Sequence, residues 1–372
     1  MAGMRLAAPL LALQQGYSPL MVGLLLALFS LTQVVLALPA GRYADRHGLK
    51  RPVLLSVGAA TLGAALAAVF PVFAVLCAAA LLTGGASGAA AISLQRHVGR
   101  SVSGAHELKK VFSWLAIGPA VSNFIGPFSV GLLIDFAGPV ASSPTGFRVA
   151  FFSMALLPLI TALLIRRSRE LPRVLAALPA DGSKPKAWDL LQNTRFRNLL
   201  ILNWCLSSCW DVHTFMVPIL GHERGISATS IGAILGGFAI AATAIRLVMP
   251  LVAAHLQEWR VLATAMLITG GLLAVYPLLP DALTMGACSA LLGLALGSVN
   301  PMIMSLLHQI TPEARHGEAL GLRLMLVNAS SVAVPLLSGT VGALLGVAGV
   351  FWGVGAVVAA GSHLAWRVKA DR

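Results

Sequence analysis

The chain has 372 residues, of which 58% are hydrophobic and only 10% charged, with 26 Lys and Arg against 13 Asp and Glu. A soluble domain carries about 25% charged residues, so an ordinary water-facing surface is excluded. The formal charge of +13 is not a nucleic-acid stripe; it is scattered through short loops between apolar runs, the positive-inside pattern of membrane proteins.

Apolar runs of about 20 residues recur along the chain, each long enough to cross a hydrocarbon core as a helix. The first is short: only Met1 to Leu13 precede a turn at Gln14, Gln15 and Gly16. Helix two is read from Ser18 to Ala40, helix three from Pro52 to Val69, and helix four from Pro71 to Leu94. Helix five runs from Val111 to Asp135 and helix six from Phe147 to Ile165. A polar stretch, 166–197, follows. Helices seven to twelve are then Asn198 to Leu220, Ser227 to Val252, Val261 to Leu279, Ala282 to His308, Glu318 to Leu345, and Val347 to Trp366.

A shift of 209 positions lays Pro9 on Pro218, Gly16 on Gly225, Ser18 on Ser227, Gly23 on Gly232 and Phe29 on Phe238. Helix one therefore corresponds to the end of helix seven. The repeat predicts that about a dozen residues of helix one are lacking before Met1, through a truncated chain, a misplaced start codon or a genuine loss. Six helices separate the copies, so the repeat is parallel. The expected fold is an all-α integral membrane protein of two six-helix bundles, with about 11 full helices and a partial first one. The first bundle is 1–165, the linker 166–197 and the second bundle 198–372.

Placing the loops after helices two, four, six, eight and ten in the cytoplasm puts most of the 26 Lys and Arg there. Only Arg148 and Arg224 fall opposite, so the C-terminus is expected in the cytoplasm. Cys77, Cys205, Cys209 and Cys288 all lie in apolar runs, with neither zinc nor secreted-disulfide spacing. No metal cluster, nucleotide-binding lysine loop or nucleophile–base pair is found. No enzyme, ATP-driven pump, metal or cofactor is read.

Between helices two and three stands Gly41-Arg-Tyr-Ala-Asp45-Arg46-His-Gly48-Leu-Lys50-Arg51-Pro52. This resembles the signature loop of the major facilitator superfamily. The resemblance implies that Asp45 docks at the start of helix eleven, near Gly317 to Gly321, favoured by the positive end of a helix dipole. Gly41 and Gly48 give the turn and close approach. Arg46, Lys50 and Arg51 pair with Asp45 or lipid phosphates, or only enforce topology. The equivalent stretch of the second half, Leu251 to Arg260, lacks the motif, so the latch is expected to be asymmetric. In helix five, Gly126, Pro127 and Gly131 resemble the family's antiporter motif, in a segment able to bend. Helix four, read through Leu81 to Gly88, lacks the buried arginine of many proton-coupled exporters.

Charged residues inside a membrane are costly and are functional candidates by default. Asn203, Ser207, Trp210, Asp211 and Thr214 share one face of helix seven, with His213 to one side. The resemblance makes this face cavity wall, and Asp211 then binds a cationic solute or a proton; the alternative is a structural hydrogen bond. Arg5 lies deep in helix one and either pairs with Asp211, attracts an anion or snorkels. Asn300 in helix ten is a weaker candidate. Arg246 and Arg323 are read as snorkelling or gate residues at cytoplasmic ends.

The expected function is secondary transport of a small solute by alternating access, with proton-coupled efflux of amphipathic compounds as the leading reading. The protein is expected as a monomer in the bilayer of the cell inner membrane, with no nucleic-acid partner. A symporter or facilitator of an organic anion is the alternative, and a non-transporting sensor or scaffold the alternative of another class.

Overall fold

A computed structural model describes residues 1–17, 19–102, 104–137, 144–172, 186–226, 228–252 and 256–368. Of the expected linker, 173–185 lie outside the described residues. No strand occurs among them. The helices are α1 Ala2–Gln14, α2 Pro19–His47, α3 Lys50–Val69, α4 Phe73–Arg100, α5 Ala105–Phe136 and α6 Pro144–Arg167, followed by α7 Thr194–Glu223, α8 Ala228–Val252, α9 Glu258–Val275, α10 Ala282–Ile310, α11 His316–Gly361 and α12 His363–Arg367. The last two expected spans run on as α11, interrupted at Gly346. Among the described residues, nine helices are long and apolar enough to cross a membrane. α7 is not one of them, because Asn203, Ser207, Ser208, Asp211, His213 and Thr214 interrupt its apolar surface.

Two boundaries move the chemistry. Helix two continues past Ala40 to His47, so Asp45 sits on its last turn rather than in a loop. Arg46 and His47 suit the negative end of the helix dipole, and Gly48 at φ 76° stops the helix with its N–H on the Ala44 carbonyl. Helix four likewise continues past Leu94 to Arg100, which carries Arg96 into the helix.

The described residues divide into two compact units. One comprises Met1–Ser101, Gly118–Leu178 and Glu313–Asn328; the other comprises Val102–Ile117, Pro179–Pro312 and Ala329–Arg372. The first turns of α5 thus belong with the second unit, and those of α11 with the first. Small side chains recur in the core of the first unit: Ala7, Ala8 and Ala12 of α1, Ala64 and Ala67 of α3, and Ala79 and Ala80 of α4. Larger ones, among them Met4, Leu11, Leu25, Leu76, Phe29, Phe147 and Phe151, fill the volume between them. Small residues let helix backbones approach where lipid supplies no hydrophobic drive between helices.

The internal repeat is visible in detail. Gly16 and Gly225 both have positive φ, at 83° and 69°. Tyr17 N–H reaches the Ala12 carbonyl as Ile226 N–H reaches that of Gly221, which closes α1 and α7 in the same way. Gly84 of α4 packs on the backbone of Phe29, and Gly293 of α10 packs on that of Phe238.

Candidate functional site

Asp45 is the centre of a closed electrostatic set in the first unit. Gly41 and Gly317 lie so close that a methyl group on either would meet the other's carbonyl. That approach lets Gly317 N–H donate to Asp45 Oδ1 at 2.9 Å and Glu318 N–H donate to Oδ2 at 3.0 Å. A carboxylate capping the first turn of α11 takes two orphan donors and the positive end of the helix dipole. Arg96 Nε donates to Asp45 Oδ1 at 2.5 Å, and its Nη2 reaches the Asp45 carbonyl at 3.3 Å. Arg96 is 2% exposed and Asp45 9%.

Arg96 is the residue the sequence reading missed. Ending helix four at Leu94 left it among loop charges. The expectation that helix four lacks a buried arginine holds for Leu81 to Gly88 but fails near its C-terminal end, at Arg96. Asp45 pairs with Arg96 rather than with Arg46, Lys50 or Arg51, since it faces inward; Arg46 and Arg51 are exposed. Lys50 Nζ donates to the Arg166 carbonyl at 3.1 Å. The start of α3 is capped by Glu170, whose Oε1 accepts from Leu49 N–H at 2.5 Å. Glu318 is held by Arg42 at 2.8 Å and by Arg315 at 2.7 Å, and Arg100 pairs with Glu313 at 2.7 Å.

In the second unit, Lys109 from the first turns of α5 donates to the Leu256 carbonyl at 2.5 Å and lies 3.8 Å from Glu258. Glu258 also accepts from Ser305 at 3.1 Å and Gln309 at 3.0 Å. His255 lies outside the described residues.

On α7, Asp211 is half-buried. Its Oδ2 accepts from Ser330 Oγ at 2.9 Å and its Oδ1 from Ser331 Oγ at 3.2 Å. Among the described residues no cation reaches it. The pair Ser330–Ser331 was legible only as a polar interruption of helix eleven; which residue it serves depends on a contact 119 residues away. Ser207 and Trp210 are half-buried, Asn203 is buried, and Thr214 is exposed with its hydroxyl on the Trp210 carbonyl. Trp210 meets the edge of Phe238, with ring centroids 4.5 Å apart.

His213 is placed apart from the others. It is 0% exposed, stacks on Phe238 at 4.2 Å and bonds Ser289 Oγ at 2.9 Å. Ser289 in turn meets the Tyr276 hydroxyl at 2.7 Å. This is an interior packing network, not an open wall. Arg5 is exposed on α1 and Asn300 is half-buried on α10. The Arg246 guanidinium lies 5.6 Å from the Trp210 ring centroid. Gly126 faces Ala2 and Gly3 of α1, while a methyl group at Gly131 would meet nothing. Pro127 lies inside an uninterrupted α5. The first unit also holds a cavity of about 380 Å³, lined by hydroxyls of Ser56, Thr83, Ser87, Ser122 and Ser129 among others.

The family profile described as Major Facilitator Superfamily matches residues 1–288 and 199–372. The chain belongs to that superfamily. Membership places it among transporters rather than enzymes, and among multi-pass membrane proteins. Over 136 residues it is 35% identical to the tetracycline resistance protein, class E, of Escherichia coli. That match spans 35% of this chain and only 33%, about a third, of the relative's length.

Solved structures resemble it over nearly its whole length at low identity. The outward conformation of FucP, described as a major facilitator superfamily transporter, matches with a TM-score of 0.78 at 15% identity, covering 100% of this chain and 98% of that one. A bacterial homologue of the iron transporter ferroportin matches at 0.72 and 17% identity, covering 98% and 96%. The human organic anion transporter MFSD10 matches at 0.73 and 16% identity, covering 97% and 89%. These likenesses establish the fold.

Proposed function

We propose that this superfamily member is a secondary transporter of the inner membrane, with its C-terminus in the cytoplasm. It exports a small amphipathic solute in exchange for protons by alternating access. The observation that carries this reading is Asp211. It is a half-buried carboxylate within the 30-residue helix α7, oriented by two hydroxyls and left without a basic partner among the described residues. A carboxylate so placed is costly unless it serves as a site, and it accepts either a proton or a cationic group. The partial likeness to a tetracycline resistance protein and the Gly126–Pro127 motif support export. The Asp45–Arg96 set is the latch: it ties α2 and α4 to the first turn of α11, and it opens in each cycle.

The test is proton movement in energised everted vesicles on addition of amphipathic compounds. Compound-dependent proton release is expected from the wild-type chain and not from Asp211→Asn. Release that survives unchanged in that variant sinks the assignment.

A further inference from the structure

The reading above leaves a second charge unused. Arg246 lies six residues before the end of α8. Its guanidinium rests over Trp210 at 5.6 Å, and its Nε is buried without a hydrogen-bond partner. Trp210 immediately precedes Asp211 in α7, so the ring under the cation and the carboxylate occupy consecutive positions of one helix.

The two opposite charges do not neutralise each other. Asp211 takes hydrogens from Ser330 and Ser331 on α11, while Arg246 reaches α7 from α8 and holds to the aromatic ring. An acid and a base held beside consecutive residues of one helix in a low-dielectric layer would be expected to pair. Holding them apart, one by hydroxyls and the other by a ring, keeps both available. Asp211, Trp210 and Arg246 are all half-buried. The indole under Arg246 also meets Phe238 edge-on.

We infer that this face of α7 and α8 recognises a zwitterionic, ring-containing solute. Its ammonium goes to Asp211, its carboxylate or other anionic group to Arg246, and its apolar ring to Trp210. A singly charged compound satisfies one group and leaves the other desolvated without a partner, which penalises it. This deepens the proposed function and rests on it for Asp211. It adds that a solute bearing only positive charge is a poor ligand. In exchange, a proton competes with the ammonium for Asp211 while Arg246 retains the anionic end.

The experiment measures binding by equilibrium dialysis to the purified full-length protein. Three aromatic probes are used: ciprofloxacin as the zwitterion, ethidium as the cation and nalidixate as the anion. The wild-type chain is expected to prefer ciprofloxacin over both others. Arg246→Gln is expected to cut the ciprofloxacin-to-ethidium preference about tenfold or more, and Asp211→Asn the ciprofloxacin-to-nalidixate preference by a similar factor. Arg246→Lys keeps the charge and is expected to restore part of the loss. Arg260→Gln, which removes a cation over Trp259 elsewhere, controls for general effects of losing a positive charge.

Wild-type preference for ethidium, or an unchanged preference in a monodisperse Arg246→Gln protein, overturns the inference. If Arg246→Gln does not purify intact, Arg246→Lys binding all three probes with equal affinity overturns it as well. Proton release in vesicles is read separately. Its absence, with the binding preferences intact, removes the antiport reading and leaves the ligand class standing.

Discussion

The same position in the repeat is built with opposite polarity in the two units. In the first, a carboxylate at the end of α2 caps α11 and is locked by Arg96. Under the 209-residue shift, Arg96 becomes Ser305, Arg100 becomes Gln309 and Glu318 becomes Lys109. The second unit therefore offers a cation where the first offers an anion at the start of a helix. A lysine in the first turns of α5 meets the wrong end of the helix dipole, so it is drawn onto the Leu256 carbonyl and toward Glu258. Equivalent backbones tolerate either arrangement, but only the first joins a favourable dipole, two backbone donors and a close ion pair in one place.

Breaking the stronger set is expected to have the largest effect. Asp45→Ala leaves Arg96 buried without a counter-charge, a loss of about 3–5 kcal/mol for a buried pair. It is read as a fall in the thermal midpoint of the purified protein. Adding Arg96→Met is expected to recover part of that loss, and a strictly additive double variant would refute the coupling.

Steric change at the same position sharpens the contrast. Gly317→Ala drives a methyl group toward the Gly41 carbonyl and Asp45 and is expected to cost about 1–3 kcal/mol by overpacking. Its counterpart Leu108 is a buried side chain, so Leu108→Gly fails by leaving a void instead. Thermal unfolding in the presence of a bulky apolar additive separates the two: only the void is open to filling.

The weaker set gives a smaller response. Glu258→Gln leaves Lys109 on its carbonyl partner and is expected to cost about 1 kcal/mol. A loss as great as that of Asp45→Ala would erase the proposed difference between the units.

The smallest effect lies at the opposite helix ends. α10 starts with Asp281, which accepts from Thr284 N–H at 2.8 Å, whereas its counterpart α4 starts with Val72 and no side-chain cap. That N–H holds the Asp281 carboxyl below its ordinary 3.8. The cap therefore contributes at pH above the ordinary value and is lost as pH falls through the lowered one. Asp281→Ala is expected to flatten the acid limb of the stability profile slightly and leave the neutral region nearly unchanged. Val72→Asp is expected to introduce such a limb.

Much of this was legible in the sequence because it is local. Apolar runs gave the spans, turn glycines gave the repeat, and the resemblance of the loop around Asp45 to the family's signature implied its docking at the start of α11. What escaped depended on long-range pairing or on helix ends. Arg96 looked like a loop charge because an apolar run stops before a helix does: the last turns of α4 leave the hydrocarbon and admit polar residues without ceasing to be helical. Glu170 was hidden in a basic stretch, where one acid among arginines suggests a neighbouring ion pair rather than a cap for α3. Asp211 announced itself as a charge in an apolar helix, but its hydroxyl partners lie on another helix. His213, three residues from Trp210, is buried because a step of about 60° around a helix separates a half-buried position from a core.

The alanine-built core of the first unit has a consequence for how this bundle forms and moves. Alanine has no rotamers to lose, so the alanine positions of α1, α3 and α4 pack without a side-chain entropy cost, which is left to neighbours such as Met4, Leu11 and Leu76. The interfaces behave like smooth bearings rather than interlocked teeth, with backbones sliding on methyl groups and few side chains needing to disengage. Such a core is forgiving of motion and unforgiving of mutation, because nearly every substitution at Ala7, Ala64 or Ala79 adds volume where none is free.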